Sequence, residues 1–158
     1  MKFTYAIPLD RPADVTWEAL QDATRLIRCI PGCEDVAPAA DEAGALEAGV
    51  EVYNVRMATG LGPIRLRAAG TARVRRDSDT RSMTADISLT DSRSGTMYGT
   101  MALAVREADV QRSEIRLDAD VVLASKIGEF AQPLLRHKAD QTVKEFVRNL
   151  LETFPAAG

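Results

Sequence analysis

Aromatic residues are scarce in this chain: Phe, Tyr and Trp together make up 5% of its 158 residues. Aromatic rings usually supply much of the bulk of a core. An interior of ordinary size must therefore be filled by other side chains or left partly open. Histidine is scarcer still, with His137 alone, and the only cysteines are Cys29 and Cys33. That set is too small for a tetrahedral zinc site or for a disulfide-stapled secreted scaffold. No apolar run reaches the roughly 18 residues that suggest a membrane-spanning helix. "MKFTYAIPLDRP" lacks the apolar centre of a signal peptide. A cytosolic protein with reduced thiols is expected. The net charge of −3 provides no general attraction to nucleic acid.

What is present reads as one domain over 1–158. "KFTYAIPLD" alternates like a strand over 2–8. "RPADVTWEAL" follows as a short helix, with Pro12 suited to its first turn and Asp10 to its cap. "DATRLIRC" is a second short helix, capped by Asp22 and stopped by Pro31-Gly32. Six alternating segments come next: 33–40, 45–57, 64–76, 83–91, 96–107 and 113–123. The turns fall at "DEAG" (41–44), "TGLGP" (59–63), "DSDTRS", "SRSG" and "ADVQ". Residues 125–154 switch to helical period, with Ser125 as a candidate cap and Pro133 as a bend or a limit on the start. The order predicts an α+β fold: a curved antiparallel sheet of about seven strands wrapped around a long C-terminal helix.

The faces of the strands carry further information. Leu46, Ala48, Val50 and Val52 share one face of the segment at 45–57, with Glu47, Glu51 and Tyr53 opposite. The apolar faces of the later strands include Ala68, Gly70, Ala72, Ala85, Gly99 and Ala119, which are small. Small residues across a bent sheet leave room beneath the helix, or they let helix and strands approach closely. Met57, Met83, Met97 and Met101 are adaptable linings for an irregular apolar guest.

The candidate chemical sites are sparse. Cys29 and Cys33 are spaced C-x3-C around Ile-Pro-Gly, which is not a zinc or thioredoxin spacing. A rigid helix-to-strand corner explains them, and a redox-sensitive thiol pair is the alternative. His137 sits in the polar gap "RHKADQ" of the last helix, where a solvated face accounts for it. No metal site, cofactor or catalytic set emerges. Arg65, Arg67, Arg73, Arg75 and Arg76 form a stripe on the solvent face of one strand, which Arg56 and Arg93 could extend. The stripe is either solvated charge or a dock for an acidic partner or lipid headgroups. Without interleaved aromatics it is no nucleic-acid surface.

"PADVTWEALQD" (12–22), "LIRCIPGCE" (26–34), "VEVYNVRMATGLGPI" (50–64) and "LASKIGEFAQPLL" (123–135) together resemble the carbon monoxide dehydrogenase G-subunit family. The resemblance spans nearly the whole chain. It implies the helix-grip fold of the START-like, or SRPBCC, superfamily, with an apolar pocket between sheet and last helix. It implies a structural Cys-Ile-Pro-Gly corner near the pocket mouth. It also implies an accessory, non-enzymatic role beside a molybdenum hydroxylase, with a lipid- or quinone-like ligand and contact at the inner face of the membrane. Some family members carry a C-terminal extension that reaches the membrane; here "TFPAAG" directly follows the helix, so contact without permanent anchoring is expected. The expected pocket, about 300–1,000 Å³, is lined by Val52, then by Leu66, Ala68 and Gly70. Ile87, Leu89, Met97, Gly99 and Met101 continue it. Leu117, Ala119, Phe130 and Leu134 close it, and Ile30 stands at its mouth. Two other readings remain. One is a polyketide cyclase- or dehydratase-like enzyme using Asn54, Arg56, Tyr98 or His137. The other is an adaptor that docks a dehydrogenase through the arginines.

Overall fold

The computed structural model describes residues 2–39, 49–61, 64–91, 95–124 and 127–153. Its elements are β1 (Lys2–Leu9), α1 (Ala13–Ala19), α2 (Ala23–Arg28), β2 (Cys33–Pro38), β3 (Val50–Leu61), β4 (Ile64–Asp77), β5 (Ser82–Asp91), β6 (Gly95–Asp109), β7 (Arg112–Ala124) and α3 (Ile127–Thr153). The seven strands form one sheet in the order β1-β7-β6-β5-β4-β3-β2. Every neighbouring pair is antiparallel. This is the α+β architecture expected from the pattern. The two edge strands each contain a proline, Pro8 and Pro38. The predicted turn at 41–44 and the Ser125 cap lie outside the described residues.

Alternation in β4 to β7 produces one apolar face. Val74, Met83, Leu103 and Ile115 are buried on it, and α2 and α3 cover part of it. Fully burying a side chain such as Ile115 contributes about 1.5–3 kcal/mol. Among the described side chains of α3, Phe146 and Leu150 are buried, with Val143 and Val147 packed beside them. Pro133 sits inside α3 and does not end it.

Several local expectations are corrected. Asp10 does not cap α1. Pro12 occupies the cap position with no side-chain hydrogen bond, and Asp10 faces Arg112 at 3.6 Å instead. On α1 Ala13 and Thr16 are buried, as is Leu20 at its C-terminal cap, while Val15 is exposed. Thr16 and Ser113, both buried, share a 2.7 Å hydroxyl hydrogen bond that ties α1 to β7. The breaker expected at 59–63 is shorter, because Thr59, Gly60 and Leu61 still pair with Leu66, Arg65 and Ile64. Asp22 does cap α2, accepting from the Arg25 amide at 3.2 Å.

Candidate functional site

The phase of β3 is the largest correction. Tyr53 pairs with Ala72 and Val55 with Gly70. They therefore share the concave, apolar side, and Glu51 joins them. Val52 pairs with Arg73 and lies on the outer face, so it cannot line the hollow. Side chains alternate with period two, so a one-residue misreading inverts the whole strand.

Arg76 is also on the concave side, not in the solvent stripe. Its guanidinium is 2.7 Å from Glu51 and donates to the Gln21 carbonyl at 2.7 Å. The Tyr53 hydroxyl donates to the same Glu51 carboxylate. Burial alone raises the Glu51 pKa, but hydrogen bonds from Arg76 and Tyr53, with the Arg76 charge, hold it below its usual value. Burial, then the bond to Glu51 and its charge, push the Tyr53 phenol up to about 12. The cluster clasps the α1–α2 junction to the sheet. At the far end of α2, Asn149 of α3 donates to the Cys29 carbonyl at 2.9 Å. The Ala58 amide donates to the Gly32 carbonyl at 2.8 Å. α2 is thus held at both ends.

The cysteines belong to this second anchor. Cys29 is buried at the end of α2, and Cys33 is half-buried where β2 begins. Gly32, between them, has φ 88°, a left-handed conformation that a side chain would disfavour. The Cys33 Sγ lies 3.7 Å from the Asp35 carbonyl oxygen, and burial is the main cause that raises its pKa.

Beneath α2 lies an apolar cavity of about 30 Å³. Ala72, Val74, Met83, Ala85, Ile87, Met101 and Leu103 form its floor. Ala23, Leu26 and Ile27 of α2, with Ile30 just after it, form its roof, and Phe146 a wall. It has room for roughly one water or methyl group, far below the expected 300–1,000 Å³. Of the described residues in the predicted lining, Ile30, Ile87 and Met101 reach it. Leu66, Ala68, Gly70, Leu89, Met97, Gly99, Leu117 and Ala119 are on the same concave side by register. Leu89 and Leu117 are core and Gly70 lies close against the β5 backbone, whereas Leu66, Ala68, Met97, Gly99 and Ala119 stay half-buried, as a strip running on from the cavity. Leu134 is 44% exposed on α3, and the Phe130 side chain lies outside the described residues. The roof residues had a signal in the sequence: Ala23, Leu26, Ile27 and Ile30 recur at helical spacing.

The polar groups considered for catalysis lie elsewhere. Asn54 and Arg56 are exposed on the outer face of β3, opposite Thr71 and Ala69. Tyr98 is 51% exposed on the outer face of β6, and His137 is exposed on α3. Arg65, Arg67, Arg73 and Arg75 are exposed on the outer face of β4, and Arg93 lies outside the described residues.

A bent antiparallel sheet, a long C-terminal helix laid against it and two short helices after the first strand define a START-like protein. Solved structures share this arrangement across the full length. The Zhui aromatase/cyclase from Streptomyces sp. R1128 has a TM-score of 0.73 at 20% identity, covering 100% of this chain and 98% of that one. A conserved protein from Geobacillus kaustophilus has a TM-score of 0.76 at 12% identity, with coverages of 98% and 95%. A START superfamily protein from Mycobacterium smegmatis has a TM-score of 0.63 at 9% identity, with coverages of 97% and 96%. The chain itself belongs to the CoxG family, the G-subunit family of carbon monoxide dehydrogenase, whose profile matches residues 7–154. No curated protein matches it in sequence. Among the described residues, no helix is long and apolar enough to cross a membrane.

Proposed function

We propose that the protein is a non-enzymatic binder of a lipophilic small molecule, serving a carbon monoxide dehydrogenase-type molybdenum hydroxylase. A quinone or isoprenoid suits a redox enzyme that must pass electrons to an apolar carrier. The observation behind the reading is the half-buried apolar strip continuous with the cavity under α2. The cavity alone is too small for such a guest. The guest lies along the strip against Ala68, Ile87, Met97 and Gly99, with one small group reaching the cavity. Its binding energy comes from apolar burial, roughly 25 cal/mol per Å² before association costs. A binding role rather than a catalytic one is supported by the position of Asn54, Arg56, Tyr98 and His137 away from the hollow. It is further supported by the mutual engagement of Tyr53, Glu51 and Arg76.

The test is native mass spectrometry of freshly purified protein, solvent extraction, then uptake of a short-chain quinone, a sterol and a fatty acid by the stripped protein. Binding of one quinone per chain, abolished by Gly99→Trp, is the expected result. Protein that purifies empty and takes up none of the three rules the carrier out.

A further inference from the structure

Two polar side chains of α3 meet the β1 margin of the concave face, one helical turn apart. The Arg136 guanidinium lies over the Phe3 ring, 5.4 Å from its centre. Asp140, the next residue on that helix face, accepts from the Tyr5 hydroxyl. Phe3 is buried and Tyr5 half-buried, and their register with Ala119 and Leu117 puts both on the concave side. The two contacts fasten α3 to the sheet, yet they leave the donors of Arg136 unused. A cation over a ring is held by its charge and meets no acceptor oxygen there. Among the described residues, no carboxylate comes within ion-pair distance of Arg136.

The cross-strand row that begins at Phe3 leads to the cavity. Phe3 pairs with Ala119, Ala119 with Met101 and Met101 with Ala85. Ala119, Met101 and Ala85 are half-buried, and the last two belong to the cavity floor. Two strand spacings of about 4.8 Å put Met101 about 10 Å from Phe3. A small molecule on the strip beside Ala119 therefore has its apolar body near Met101 and one end within reach of Arg136. A guanidinium offers five donors and no acceptor, so what it recognises is an acceptor oxygen.

The neighbouring charges decide which oxygen. Burial, then the bond to Asp140 and its charge, raise the Tyr5 phenol, and the Arg136 charge opposes them. Both charges thus act at one place, and they nearly cancel. A carboxylate there gains from Arg136 and loses to Asp140. An uncharged carbonyl keeps the hydrogen bond, meets no such repulsion and gives up less hydration on leaving water.

We propose that Arg136 binds the polar end of the guest, an uncharged carbonyl oxygen, while the apolar remainder lies on the strip; this rests on the binding reading above. The test is displacement of a neutral apolar dye, N-phenyl-naphthylamine, by methyl decyl ketone, dodecane and laurate, which have equal carbon counts. The full wild-type chain is expected to bind the ketone about tenfold more tightly than dodecane, as a hydrogen bond from a charged donor does, and no less tightly than laurate. Arg136→Met keeps an apolar contact with Phe3 and should bring ketone and dodecane together. If Arg136 only fastens α3, that variant loses stability and keeps the ketone preference, which overturns the proposal. Should Arg136→Met not fold, the infrared carbonyl stretch of the ketone bound to the wild-type chain reads the same contact. It is expected below its value in hydrocarbon solvent, and an unshifted band overturns the proposal. Equal binding of ketone and dodecane by the wild-type chain removes the Arg136 site and leaves the carrier reading standing. Tighter binding of laurate overturns the uncharged head. If none of the three displaces the dye, the carrier reading fails and the site fails with it.

Discussion

Gly70 and Gly99 have similar places in the sequence pattern but different surroundings, and replacing each by alanine separates them. Both are on the concave side, and neither has a left-handed backbone. A Cβ at Gly70 would fall on the Ser88 carbonyl oxygen, 2.8 Å from its carbon and 3.0 Å from the Leu89 Cα. All three atoms are main chain, so no rotamer change relieves the clash, and β5 must move. Overpacking costs about 1–3 kcal/mol where side chains can give way. Two ladder hydrogen bonds beside the Gly70–Leu89 pair, at about 1 kcal/mol each, are stretched as well. Gly70→Ala should therefore destabilise by about 3–5 kcal/mol. At Gly99 the nearest atom to an added Cβ is the Asp120 carbonyl oxygen at 3.9 Å, an ordinary contact. Gly99→Ala should be neutral or stabilise by about 0.5–1 kcal/mol, because alanine loses less backbone entropy. Urea unfolding followed by Trp17 fluorescence is the assay. With a slope of about 2 kcal/mol/M, Gly70→Ala lowers the midpoint by about 2 M. If the two variants unfold at the same urea concentration, the distinction between a packed bend and an open strip is wrong.

The remaining predictions concern polar contacts. Arg76→Met breaks the clasp and should cost about 1–3 kcal/mol at neutral pH by leaving its partners unpaired. The Glu51 pKa is lower in the folded protein, so its contribution is complete above the ordinary carboxylate pKa. That contribution is lost as pH falls through the lowered folded value. The acid limb of the urea midpoint against pH should therefore flatten in Arg76→Met, and an unchanged limb counts against the clasp. Tyr5 is also raised to about 12, by burial and then by its bond to Asp140, as Tyr53 is by burial and Glu51. Their contributions to stability hold below pH 10 and disappear as pH rises through about 12; phenolate absorbance should show two groups ionising there in the native state, one of them lost in Tyr53→Phe. Thr16→Val strands the buried Ser113 hydroxyl and should cost about 1–3 kcal/mol, whereas Thr16→Val with Ser113→Ala should recover much of it. Additive losses in that cycle would mean the hydroxyl pair does not couple α1 to β7.

Most of the fold is legible in the sequence because β4 to β7 alternate over long runs, and alternation needs no knowledge of partners. β3 is easily inverted because Glu51 looks like a surface residue until Arg76, on the neighbouring strand, is seen to neutralise it on the concave side. Arg76 misleads for the matching reason. Ion pairing across strands is a tertiary fact that composition on one strand cannot show. The cavity is smaller than its pattern suggests because a small side chain in a sequence reads as space. At Gly70 that space is occupied by the backbone of β5. Leu134 fits an apolar helical face, but it is 44% exposed, whereas Phe146 and Leu150 of the later patch are buried.

Pro8 and Pro38 have a consequence beyond the fold. Each rim of the sheet carries a residue with no amide hydrogen to offer, so a stray peptide finds an interrupted template there and cannot zip on along its length. A wide β surface can then stay uncovered at high concentration without its rims seeding fibrils.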